Sequence, residues 1–120
     1  MSARDLDAAG ITDPALRASY EACRRLNAAH GRTYYLATLL LPPAKRPFVH
    51  ALYGFARYAD EIVDAPGPAT SAQRGERLAA WSAGFLADLA DGHSQDLVAR
   101  AAVDTARRWG IPAEHFAAFF

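Results

Sequence analysis

Tyr53, Arg57, Asp60, Glu61 and Asp64 lie close together, in a segment bounded by Pro42-Pro43 and Pro66-Gly67-Pro68. On a helix, at about 100° per residue, Tyr53, Arg57, Asp60 and Asp64 fall within roughly 60° of one another. Arg46 lies further back on the same stripe. Asp60 and Asp64 form a D-x-x-x-D pair one turn apart. Like charges at this spacing repel mildly, but together they suit a hard cation. Mg²⁺ takes one or two carboxylates and completes its octahedron with waters and phosphate oxygens. Arg57, one turn before Asp60, offers a planar fork that matches the edge of a phosphate.

The rest of this helix is apolar. Phe48, Ala51, Leu52, Phe55, Ala59 and Ile62 occupy the opposite face, flanked by Val49, Ala56 and Val63. A helix apolar over most of its circumference is expected to be buried. Buried carboxylates then need a counter-charge. The alternative is a solvated face on which Arg57 and Glu61 pair at i, i+4. Spacing alone leaves both readings open.

His30-Gly31-Arg32-Thr33-Tyr34 is the second group, at a break between two helical segments. Backbone N–H groups of Gly31 and Thr33 at a new helix start would attract an anion, with Arg32 adding charge. The competing reading is a simple helix stop, with His30 favouring the helix end. Other polar features read as structural. Asp88 and Asp91 sit beside Gly92, and Arg24-Arg25 and Arg107-Arg108 look like exposed faces. His50, His93 and His115 lack zinc-ligand spacing. Cys23 has no evident catalytic partner.

Helices must position these groups. Thr12-Asp13-Pro14 is a helix start, followed by an inner face of Leu16, Tyr20, Cys23 and Leu26 or Asn27. Gly31 is expected to stop this helix in a left-handed conformation, and Thr33 to cap an apolar segment, Tyr34 to Leu41. A long helix is expected from Ala44 to Ala65, with Pro47 in its first turn. Thr70 and Gln73 form a capping box for a helix burying Leu78, Trp81, Phe85 and Leu89 and ending at Gly92. Ser94 is expected to start the next, with Leu97, Val98, Ala101, Ala102, Thr105 and Trp109 inward. A last segment runs from Ala113 to Phe120. Nothing alternates as a strand would, and no internal repeat appears. The fold class is all-α.

Composition bounds the function. Hydrophobic residues make up 52% and charged ones 22%, an ordinary globular mix. Thirteen basic residues balance thirteen acidic ones, which removes any general attraction to nucleic acid. A single cysteine, Cys23, fits a reducing compartment. The first residues show no apolar signal region, and the stretch Tyr34 to Leu41 is far short of the roughly 20 residues a membrane span needs. The expected location is cytoplasmic. The closing His115-Phe116-Ala117-Ala118-Phe119-Phe120 has no cap or basic last turn and would expose an apolar patch. The expectation is an N-terminal piece of a longer all-α protein.

The stretch from Ala28 to Asp64 resembles the squalene and phytoene synthases. The resemblance rests on His30-Gly31-Arg32-Thr33-Tyr34-Tyr35, Leu40-Leu41-Pro42-Pro43 and the block Leu52-Tyr53-x-Phe55-x-Arg57-x-x-Asp60-x-x-x-Asp64. It implies the isoprenoid synthase fold and a head-to-head prenyltransferase. Such an enzyme joins two prenyl diphosphates through a cyclopropylcarbinyl diphosphate to a linear hydrocarbon. The implied activity is that of a phytoene synthase acting on geranylgeranyl diphosphate. The rival is a squalene or presqualene-diphosphate synthase acting on farnesyl diphosphate. By similarity Asp60 and Asp64 carry Mg²⁺, Arg57 and Tyr53 hold the diphosphate and the site mouth, and His30, Gly31, Arg32 and Thr33 form a substrate-binding turn. Glu61 stands where aspartate is more usual, and Gly31 where serine is common. The resemblance puts a second aspartate-rich motif beyond Phe120, so the 120 residues alone are expected to be inactive. A long hydrocarbon product would bring peripheral membrane contact; oligomeric state is left open. From another class, a non-catalytic helical module whose acidic helix docks a basic partner fits the same charge pattern.

Overall fold

The computed structural model describes residues 2–63 and 67–119. Every regular element in them is helical: α1 (Ser2–Ala8), α2 (Pro14–His30), α3 (Arg32–Thr38), α4 (Arg46–Val63), α5 (Ser71–Asp91), α6 (Ala99–Trp109) and α7 (Ala113–Phe119). No described helix is long and apolar enough to cross a membrane.

The helix ends follow from local chemistry. Asp13 caps α2 by accepting the Leu16 N–H at 2.9 Å, with proline in the first turn. Thr70 and Gln73 exchange both bonds of the capping box. Gly92 and Gly110 end α5 and α6 in the left-handed conformation, with φ of 72° and 63°.

Three boundary expectations are corrected. Gly31 ends α2 at φ −122°, not in the left-handed region. What excludes a side chain there is proximity: a Cβ would lie 2.9 Å from Asn27 Oδ1. Thr33 lies inside α3, which starts at Arg32 with no side-chain cap. Helix α6 starts at Ala99, not Ser94. Asp96 Oδ1 accepts the N–H groups of Val98 and Ala99, while Ser94 only accepts from Asp96. Because the chain is still turning through residues 94–98, Leu97 leaves the inner face and is 52% exposed. Trp109 is 54% exposed, its ring in an edge-to-face contact with Phe48 at 5.5 Å. On α5 only Phe85 is fully buried; Leu78, Trp81 and Leu89 are half-buried.

Helix α4 runs between two core clusters. Its Phe48 and Ala51 join Leu6, Ile11, Tyr20, Cys23, Val98 and Ala101. Its Phe55 joins Phe85, Ala102, Val103, Ala106 and Phe116. Burying this apolar surface is the main favourable term in folding. Helices α2 and α4 approach most closely at Gly54, where a Cβ would fall 2.7 Å from the Cys23 Cα. Polar locks fix the register of α2 on α6. The Tyr20 hydroxyl donates to Asp104 at 2.6 Å and meets Thr105 Oγ1 at 3.0 Å. Ser19 Oγ accepts the Ala101 N–H at 2.7 Å and donates to the Leu97 carbonyl. Burial and the Asp104 contact raise the Tyr20 phenol well above its ordinary range, so it remains a donor.

Candidate functional site

The last turn of α2, the first turn of α3 and the middle of α4 enclose a pocket of about 220 Å³. Leu26, Asn27, His30 and Gly31 come from the first break, Tyr34 from α3, and Tyr53, Ala56, Arg57 and Asp60 from α4. The two sequence groups, separated by eighteen residues of chain, therefore meet in one place. The packing of α2 on α4 brings them together.

Tyr34 and Tyr53 stack with ring centroids 4.7 Å apart and form one wall. Glu61 Oε1 stands 3.5 Å from His30 Nε2 and 3.5 Å from Arg57 Nε, so one carboxylate ties both basic side chains to the rim. Asp60 has neither an ion pair nor a hydrogen bond among the described residues. Arg32 and Thr33 are exposed and do not line this pocket. Asp64 lies outside the described residues. Arg46 does not reach the site. It anchors the α3–α4 connection through the carbonyls of Leu39 and Leu41 and through Asp5 at 3.3 Å.

The expected burial of α4 on all sides is also corrected. Phe48, Ala51, Phe55 and Ala59 are buried, but Leu52 is 37% exposed, and Tyr53, Arg57, Asp60 and Glu61 face outward. Helices α2, α5 and α6 cover only one side of α4. Asp60 and Glu61 are thus not forced to find a counter-charge by burial. Convergence of basic, acidic and aromatic groups on one concave surface remains as the argument for a site.

A second cavity of about 490 Å³ opens alongside. Val49, Leu52, Phe55, Ile111, His115 and Phe116 line it, and Tyr53 and Ala56 belong to both. A polar, charged recess therefore abuts an apolar one across a shared wall. Sequence reasoning missed Asn27 as a pocket residue, and it missed Ile111 and His115. Asn27 was legible only as one of two candidates for a helix face, and His115 carries no spacing signal toward α4.

His50 sits on α4 behind the polar recess and is 3% exposed. Its Nδ1 lies 3.1 Å from Asn27 Nδ2, and its ring stacks on Tyr35 at 5.6 Å. Burial, aided by Arg24, lowers its pKa to about 4; Asp5 and Glu21 oppose this and Arg46 adds to it. The unfolded imidazole protonates near 6.5. Stability is therefore full above that value and falls as pH drops toward about 4, by on the order of 3 kcal/mol. His50→Phe should flatten this slope, which urea midpoints measured across that window would record.

The model of the squalene/phytoene synthase family matches residues 27–120, which include every pocket residue except Leu26. The chain belongs to the squalene/phytoene synthase family. It is 43% identical over 102 residues to a bifunctional protein CrtB/UppS of Streptomyces coelicolor, covering 85% of this chain and 18% of that protein. It is 39% identical over 98 residues to the 15-cis-phytoene synthase of Synechocystis, covering 82% and 28%. It is 35% identical over 101 residues to a chloroplastic phytoene synthase of Daucus carota, covering 84% and 25%. The chain thus spans between 18% and 28% of the length of these three relatives. The helical architecture agrees with the all-α isoprenoid synthase fold of the family.

Among the described residues no three His, Cys, Asp or Glu side chains gather as a metal site. The donor chemistry nonetheless fits Mg²⁺, which needs only one or two carboxylates when phosphate oxygens complete its shell. Among the described residues Asp60 is an unpaired carboxylate on the pocket wall, one turn from Arg57.

Proposed function

We propose that the whole protein is a phytoene synthase-like transferase of carotenoid biosynthesis. It condenses two geranylgeranyl diphosphates head to head, through a cyclopropylcarbinyl diphosphate, to phytoene. The observation that carries this reading is the polar recess of His30, Arg57 and Asp60 lying against the apolar cavity across Tyr53 and Ala56. A ligand with an anionic head and a long apolar tail needs that pairing. The phytoene synthases among the relatives support it.

In this reading the 120 residues form the N-terminal part of one isoprenoid synthase domain, and a second aspartate-rich motif stands in the remainder. Asp60 and Asp64 would hold Mg²⁺, which supplies charge neutralisation for the departing diphosphate. Arg57 offers two parallel N–H donors to that diphosphate, and His30 adds a third basic contact. When the allylic carbon–oxygen bond breaks, charge grows on the leaving diphosphate, and preorganised donors act most strongly there. The carbocation left behind must be kept from water. The stacked Tyr34–Tyr53 pair and the apolar cavity do both jobs, since aromatic faces attract a cation.

The test is turnover of the whole protein with geranylgeranyl and with farnesyl diphosphate, each with Mg²⁺ and with a chelator. The expected result is phytoene from geranylgeranyl diphosphate, lost on chelation, and no turnover by the 120 residues alone. Preference for farnesyl diphosphate would move the assignment to the squalene-type reaction. No turnover with either would sink the enzyme reading.

A further inference from the structure

The reaction outlined above gives no task to His50, the most deeply buried titratable imidazole of the chain. Three observations tie it to the polar recess. Its Nδ1 faces the Asn27 carboxamide at 3.1 Å, in a buried contact between α4 and α2. Asn27 lines the recess, and its backbone carbonyl accepts the Gly31 N–H at 2.8 Å. The other end of the same carboxamide, Oδ1, lies where a Gly31 side chain would begin, 2.9 Å from an ideal Cβ. The shape of the α2–α3 break thus depends on which way Asn27 points, and His50 is the hydrogen-bond partner that decides it.

We propose that His50 is a positioning residue. Its Nδ1 accepts from Asn27 Nδ2, turns the carboxamide Oδ1 toward Gly31, and so holds His30 and Gly31 in the geometry that receives a phosphate group. The inference rests on the diphosphate reading of the recess and adds to it the residue that sets its α2 wall. A neutral imidazole with its proton on Nε2 is required, because a proton on Nδ1 would oppose two donors. The groups around the ring agree with that state. Burial and then Arg24 disfavour a second proton, Asp5 and Glu21 favour one and Arg46 disfavours it, and Tyr35 covers one ring face. Arg24 is itself engaged by Glu21, at 3.0 Å from its Nε, so it does not compete for Asn27.

Nitrogen-15 spectra of the unmodified chain near neutral pH should show His50 with Nδ1 unprotonated and Nε2 protonated. His50→Phe keeps a ring against Tyr35 but removes the acceptor. It should displace the amide resonances of His30 and Gly31. In the whole protein it should also weaken binding of inorganic pyrophosphate with Mg²⁺ about tenfold, equivalent to about 1.4 kcal/mol. His50→Asn, which returns an acceptor near the Nδ1 position, should recover both signals. A proton on Nδ1 in the unmodified chain would overturn the proposal. So would a His50→Phe variant with unmoved Gly31 resonance and unchanged affinity, or an asparagine variant that recovers neither. If the unmodified whole protein binds no pyrophosphate, the diphosphate reading fails, while the tautomer and the Gly31 resonance still decide the positioning role.

Discussion

Asp60→Asn in the whole protein is expected to lower kcat at least about a hundredfold, the scale on which one preorganised electrostatic group supports a reaction. The same substitution should leave the fold intact. Asp60 is exposed and has no partner among the described residues, and substitutions at such surface positions usually stay within about 0.5 kcal/mol. The two halves of this expectation separate the competing accounts of the D-x-x-x-D pair. If the acidic face of α4 only keeps the helix soluble, neither activity nor thermal midpoint responds. If Asp60 holds Mg²⁺ against a diphosphate, activity collapses while the circular dichroism spectrum and midpoint stay where they were. Glu61→Gln is the useful comparison. Glu61 ties His30 and Arg57 to the rim rather than offering a free carboxylate, so its loss should raise KM more than it lowers kcat.

The site was legible in the sequence to the extent that helical spacing carries it. Tyr53, Arg57 and Asp60 share a stripe because a helix repeats every 3.6 residues, and the structure puts all three on one pocket. His30 and Gly31 were legible as a break, and α2 packing on α4 turned that break into a wall. Their neighbours Arg32 and Thr33 stand apart from this pocket because the position of side chains at a helix start depends on where the helix begins. Here α3 begins two residues early, at Arg32, and leaves both side chains exposed. The burial of α4 was overread for a related reason. Its composition is apolar nearly all round, but how much of that surface is covered depends on the neighbouring helices, and periodicity is silent about those. Leu52 and Tyr53 remain 37% and 40% exposed despite their hydrophobicity. The fold was read more fully. Capping box, proline starts and glycine stops each express local backbone chemistry, and the errors at Ser94 and Thr33 arise where a different polar group, or none, closes the turn.

Phe55→Ala should cost about 3–5 kcal/mol of folding free energy, the range for emptying a buried phenylalanine site. Phe55 is 3% exposed, and its ring meets Phe85 at 4.4 Å, Trp81 at 5.2 Å and Phe116 at 5.7 Å. It is the residue of α4 through which α5 and α7 are both attached. Aromatic pairs of this kind add about 0.5–1.5 kcal/mol each beyond burial, and deleting the shared ring removes three at once. Domains of this size are typically stable by only about 5–15 kcal/mol, so the variant should lose a large part of its denaturant midpoint. The mutation also tests how the site is supported. Phe55 borders the apolar cavity from below while Tyr53 and Ala56, its near neighbours on α4, face the polar recess. If the two cavities are held by one framework, Phe55→Ala should weaken pyrophosphate binding at temperatures where the chain is still folded. Leu52→Ala, on the open side of the same helix, should cost well under half as much stability. Equal losses at the two positions would mean that Phe55 is not the residue on which α5 and α7 are seated.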